Sequence, residues 1–159
     1  MEQPTWFRQL KWSDPTHVAS LNVDRKQIPD FTGCYAFTVG PVPLAPGGVL
    51  YVGEAAGQSL RDRLANYLVD FRKGAPGQAA GQGAKKAHKG KGFVLEIRAQ
   101  RGDAGVYVRW VEYGASEQDI HILEASLIHY LNPAANDRVE EYRHPVLGER
   151  ERLNRDLLR

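Results

Sequence analysis

Cysteine is nearly absent from this chain. Of 159 residues only Cys34 carries a thiol, so no intramolecular disulfide can brace the fold. Histidine and cysteine nowhere combine at zinc-ligand spacing, which sets aside a structural zinc module. Uninterrupted apolar runs long enough to span a bilayer are missing too, as is the apolar core of a signal peptide. The expectation is a soluble cytoplasmic protein of a reducing compartment, with no membrane partner. Charge of one sign is not in excess, since 21 Lys and Arg stand against 19 Asp and Glu for a net +2. That balance says little about partners. Internal repeats are absent, and no zinc finger or helix-turn-helix can be picked out as a DNA-reading module. What remains is ordinary globular composition, 42% apolar and 25% charged, in a length that suits one domain with a real core.

Two tyrosines organise the middle of that domain. Tyr35 opens a β-prone run, GCYAFTV, and Tyr51 stands near the end of a second, VLYVG. Between them lies GPVPLAPGG, whose Gly and Pro content marks a loop. Two short strands joined in this way read as an antiparallel hairpin, which would bring the two phenols close together. The alternation in Tyr35 to Val39 suits a strand with one buried face. The more uniformly apolar Val49 to Val52 suits a central strand. Val106 to Glu112 reads as a third strand, with Val106, Val108 and Trp110 on one face and Tyr107, Arg109 and Val111 on the other. Phe93 to Ala99 is β-prone as well, and reads as a strand or a helix end.

Two helices are expected. The first starts at Ser59, with Asp62 at capping-box spacing, and runs from about Leu60 to Arg72. Leu60, Leu64, Leu68 and Phe71 define its core face; Arg63 and Tyr67 line the border, and Arg61 points away as a solubilising charge. Arg63 is either aimed at something or snorkels with its stem on apolar surface. The second helix begins at Ser116, with Asp119 three residues on, and runs to about Leu131, where Pro133 stops it. Its apolar stripe is Ile120, Leu123, Leu127, Tyr130 and Leu131. Glu124 falls inside that stripe, about 40° from Ile120 and about 20° from Leu131. A carboxylate placed there needs a partner, and a salt bridge or a metal ion would supply one.

The remaining segments are less specific. Met1 to Pro29 holds bulky Trp6, Phe7, Leu10 and Trp12 and reads as an extension packing on the domain or else contacting substrate, with a helix start at Asp14-Pro15-Thr16. Residues 72–92 form a long Gly-, Ala- and Gln-rich basic stretch containing Lys73, Lys85, Lys86, His88, Lys89 and Lys91 and no acidic side chain. Such a loop is either a clamp for a phosphate backbone or a solvated linker. Residues 137–159 are charged, mixed in sign and read as helical toward the end.

Taken in order, these features resemble the GIY-YIG nuclease family. Gly33-Cys34-Tyr35 stands for the first motif and Tyr51-Val52-Gly53 for the second, with Arg63 at the helix-arginine position. Glu124-Ala125-Ser126 falls in the glutamate helix, and Asn136 follows Leu131-Asn132-Pro133. The resemblance covers 33–136. It implies an α/β fold of the α+β type, with a three-stranded antiparallel sheet flanked by helices over 30–136. It also implies a phosphodiesterase cutting nucleic acid, DNA first, with one divalent ion, Mg²⁺ or Mn²⁺, on Glu124. Arg63 would hold the phosphate and a tyrosine would serve as base, Tyr35 with Tyr51 as its partner or the reverse. Tyr67 would bond a phosphate or orient water, and Asn136 would secure the backbone at the substrate edge. Two positions stand out. Position 67 is tyrosine where members carry tyrosine or histidine. Glu54 follows the second motif, where its charge would weaken phosphate affinity or else face solvent. The alternative is a nucleic-acid-binding module of the same fold without catalysis.

Overall fold

The computed structural model describes residues 2–21, 24–67, 105–114, 116–134 and 136, together with the backbone of 68–73. The element order is α1 (Thr5–Gln9), β1 (Thr16–His17), α2 (Val18–Leu21), a 3-10 turn at Arg25–Gln27, β2 (Gly33–Val39), β3 (Val49–Ala55), α3 (Leu60–Lys73), β4 (Val106–Glu112) and α4 (Glu117–Leu131). The chain is a mixed α+β fold with one antiparallel sheet in the order β1-β4-β2-β3. Among the described residues that sheet has four strands rather than the expected three. The fourth comes from the N-terminal segment, where Thr16 and His17 pair with Val108 and Tyr107. The expected helix start at Asp14-Pro15-Thr16 is therefore a short strand that turns into helix two residues later, with Val18 and Leu21 buried.

The hairpin forms as its loop signal predicts, but the central strand is β2. It lies between β3 and β4, and six of its seven residues are buried. Among the described residues the more apolar β3 is the edge strand. Its composition follows from cover on both faces, by α3 on one and α4 on the other. One core cluster joins Leu60, Leu64 and Tyr67 of α3 to Tyr35, Phe37 and Tyr51. The second joins Ile120, Leu123, Leu127 and Leu131 of α4 to Cys34, Ala36 and Val52. β4 behaves as read, with Val106, Val108 and Trp110 on the α3 side and Val111 on the other.

Both helix starts are capped by their serines. Ser59 accepts from the Asp62 amide at 3.1 Å, and Ser116 accepts from the Asp119 amide at 3.2 Å while donating to its carboxylate at 2.8 Å. α4 closes at Asn132 in the left-handed region, φ 46°, just before Pro133. The N-terminal aromatics cover the outer side of α4, with the Phe7 and Tyr130 ring centroids 4.8 Å apart and Trp6 edge-on to both. Arg61 does point away from the phenols, but it is more than a solubilising charge. Its Nε donates to the Ile28 carbonyl at 2.9 Å, and its guanidinium lies 3.9 Å from Asp30.

Among the described residues no helix is long and apolar enough to cross a membrane. The side chains of Leu68, Phe71 and Lys73 lie outside the described residues. So do Lys85, Lys86, His88, Lys89, Lys91, the run 93–99 and the segment 137–159.

Candidate active site

The register of the hairpin decides which side chains meet. Tyr35 pairs with Gly53 and Phe37 with Tyr51, after which Thr38 pairs with Val49, so Leu50 is an extra residue on β3. This bulge interrupts the alternation. Leu50 and Tyr51 both face α3, whereas Val49 and Val52 face α4. Tyr51 joins Tyr35 on one face because it pairs with Phe37, two residues on from Tyr35, and their ring centroids are 6.3 Å apart. The glycines of the two motifs are steric requirements. A Cβ on Gly53 would lie 2.5 Å from the Tyr35 Cζ and hydroxyl oxygen, so the Tyr35 ring lies across β3 at that residue. A Cβ on Gly33 would lie 2.0 Å from the Val111 carbonyl oxygen, in the pairing with β4.

From α3, Tyr67 and Arg63 reach the same place. The Tyr67 and Tyr35 hydroxyls are 3.0 Å apart, and the Arg63 Nε donates to the Tyr35 hydroxyl at 3.4 Å. Tyr67 also hydrogen-bonds Tyr51, so the two motif tyrosines are linked through the phenol of α3. Arg63 and Tyr67 were both expected at the border of the core face. Arg63 keeps that border position, half-buried, while Tyr67 is 3% exposed and lies in the core.

The electrostatics of this cluster follow from burial. Burial first, then the neighbouring phenols, pushes Tyr35, Tyr51 and Tyr67 well above the ordinary phenol value; Arg63 pulls each down, but less. Burial opposes the charge on Arg63, yet the three phenols favour it, and its net shift is upward. The site therefore consists of one fixed cation and three neutral hydroxyls. A standing phenolate, as a tyrosine base requires, is disfavoured in the free protein.

Glu124 arrives from α4, on the other side of the sheet. Because β3 is the edge strand, the two sets meet across it. Glu124 is within electrostatic reach of Arg63 and Tyr51, and it hydrogen-bonds Glu54. Its carboxyl is raised to about 8 by burial first and by Glu54 second, with Arg63 opposing. Some surface of Glu124 remains accessible, so the carboxyl is set back among protein atoms at the rim of the core. Asn136 holds the strand edge beneath. Its amide oxygen accepts from the Val52 N–H at 2.8 Å, and its amide nitrogen donates to the Val52 carbonyl at 3.0 Å. It thus completes β3 as a neighbouring strand would and locks the backbone between Tyr51 and Gly53.

The structure brings together Tyr35, Tyr51, Arg63, Tyr67 and Glu124, and places Asn136 directly behind them. The sequence reading missed the role of Glu54 and missed His121 altogether. Glu54 neither faces solvent nor stands alone. Its carboxylate is 2.6 Å from the His121 Nδ1, with the two side chains only 19% and 28% exposed. The signal for His121 was present, because it precedes Glu124 by three residues and so shares its helix face. Cys34, between the strands and α4, has a thiol raised by burial, then by Glu124 and Glu54, and reads as a core residue.

Among the described residues no group of three His, Cys, Asp or Glu side chains forms a closed metal cage. The donors present still suit a hard cation. Two carboxyl groups in contact near a guanidinium fit an ion that takes one or two carboxylates and fills the rest of its shell with water or anionic oxygens. Compared with protein-family models, curated proteins and solved structures, the chain matched none.

Proposed function

We propose that this chain is a metal-dependent endonuclease that hydrolyses phosphodiester bonds in DNA. One observation carries the reading: three phenols, a guanidinium and a carboxyl from four separate elements converge across β3. Buried cationic and acidic groups are costly to gather and are expected where a charged substrate is handled. The GIY-YIG resemblance points the same way, with β4, β2 and β3 as the sheet of that fold and β1 an addition to it.

Arg63 holds the scissile phosphate, its planar fork suited to two oxygens. Glu124 holds Mg²⁺ or Mn²⁺ through oxygen. When bound, such an ion supplies charge neutralisation at the phosphate and eases deprotonation of water. Tyr51 and Tyr67, neutral in the free protein, donate to phosphate oxygens and orient the attacking water. Tyr35 is the candidate base, since Arg63 sits on its hydroxyl and opposes the effect of burial. Asn136 fixes the strand that carries Tyr51. The basic stretch containing Lys73, Lys85, Lys86, His88, Lys89 and Lys91 contributes phosphate affinity by charge alone, so binding weakens as salt rises.

The test is cleavage of plasmid and of single-stranded DNA by the purified chain with Mg²⁺ or Mn²⁺, beside Arg63→Ala and Glu124→Ala. Loss of cleavage in both variants is expected. Undiminished cleavage by Glu124→Ala refutes the mechanism; salt-sensitive binding without cleavage by the wild type favours the inactive binding module instead.

A further inference from the structure

Glu54 occupies a position with no role in the mechanism above. It stands one residue beyond Gly53 on β3 and faces α4 rather than the phenols. There its carboxylate is hydrogen-bonded on one side to Glu124 and lies on the other 2.6 Å from the His121 Nδ1. His121 and Glu124 are three apart on α4, so one helix face presents both to the same strand residue.

Two carboxyl groups in contact repel unless something positive lies between them, either a shared proton or a cation. Arg63 is the basic group that acts on Glu124, and it is hydrogen-bonded to Tyr35. His121 lies against Glu54. A histidine bonded through one ring nitrogen to a carboxylate is a common way of fixing the orientation of a ligating group. A purely structural ion pair would need Glu54 and His121 alone. It would not need Glu54 to touch Glu124, whose carboxyl is within electrostatic reach of Arg63 and Tyr51.

We propose that Glu54 supplies a second carboxylate to the cation site of Glu124, and that His121 is a positioning residue that holds Glu54 in place. This rests on the reading of Glu124 as the ligand of a divalent ion, and it makes the site a two-carboxylate one for Mn²⁺ or Mg²⁺. Both carboxylates lie on the α4 side of β3, one from the strand and one from the helix.

Binding of Mn²⁺ to the full chain without nucleic acid, followed by electron paramagnetic resonance of the free ion, tests this directly. Thermal melts with and without Mn²⁺ give a second readout and verify that each variant folds. Glu124→Gln is expected to abolish binding. Glu54→Gln, which can still accept a hydrogen bond from His121, is expected to weaken it by roughly tenfold or more, and His121→Asn by a smaller factor. Glu54→Asp should recover part of the loss. Wild-type Mn²⁺ affinity and wild-type Mn²⁺-induced stabilisation in Glu54→Gln overturn the proposal while leaving nuclease function intact. Conversely, a wild-type chain that needs both carboxylates for Mn²⁺ but cleaves no nucleic acid upholds the two-carboxylate site and sinks the nuclease reading. No Mn²⁺ binding by the wild type overturns the proposal outright.

Discussion

Replacing Glu124 with Gln should stabilise the protein at alkaline pH while abolishing its activity. The folded chain holds the Glu124 proton to about pH 8, whereas the ordinary carboxyl value is 4.5. Between those values folding takes up a proton, so stability falls as pH rises through that window. From about pH 5.5 to about pH 8.5 the fall has a ceiling of about 3 kcal/mol for one carboxyl so shifted. Contact with Glu54 and residual solvent access reduce the expected fall to about 1.5 kcal/mol. Glu124→Gln keeps the shape, and its amide can still donate to Glu54, but it has no proton to lose. Urea unfolding of both proteins at the two pH values isolates the effect, because every other titrating group is common to both. The wild type should lose about 1.5 kcal/mol more than the variant on going to the higher pH. Parallel pH dependence in the two proteins would show that Glu124 is ionised at no cost, and the argument for its burial at the site would fail.

Three further outcomes follow from the geometry. Gly53→Ala places a methyl 2.5 Å from the Tyr35 hydroxyl in a ring that is 0% exposed, so DNA cleavage should be lost together with about 1–3 kcal/mol of stability, read from urea midpoints. Asn136→Ala leaves the Val52 N–H and carbonyl unpaired beneath a buried strand edge; a loss of about 2 kcal/mol is expected, and a loss below about 0.5 kcal/mol would show that water replaces the amide. Tyr67→Phe keeps the ring contacts with Phe37 and Tyr35 but removes the hydroxyl that joins Tyr35 to Tyr51. About 1 kcal/mol of stability should go, with a larger proportional fall in cleavage rate; an unchanged rate would detach that phenol from the chemistry.

Much of this was legible in the sequence, for reasons that differ by element. The serine caps and the hairpin loop depend on a few residues acting locally, and both formed as read. β4 showed its faces through strict alternation. The exchange of central and edge positions between β2 and β3 was hidden, because an edge strand covered by a helix on each face looks as apolar as a central one. The fourth strand was hidden too, since two residues carry no period and their pairing with Val108 and Tyr107 is set from a distance. In the site, Arg63 and Glu124 were legible as charges on or near apolar stripes. The link of Tyr35 to Tyr51 through Tyr67 was not, because it depends on how α3 is seated. Glu54 and His121 were illegible as a pair for a simpler reason: 67 residues separate them, and only the packing of α4 on β3 brings them together.

The extra residue at Leu50 has a consequence for how this architecture tolerates change. Lengthening the 40–48 connection leaves the pleat of both strands untouched, so the arrangement of hydroxyls can survive it. Removing Leu50 is absorbed too, because Val49 and Tyr51 then become successive residues on opposite faces, which is where they already lie. A deletion on the far side of Tyr51 is different: without Val52 the tyrosine would pair with Ala36 and turn toward α4, away from its two phenolic neighbours. The bulge thus shields the cluster from changes of length on the loop side, while the stretch from Tyr51 to Gly53 has no such slack.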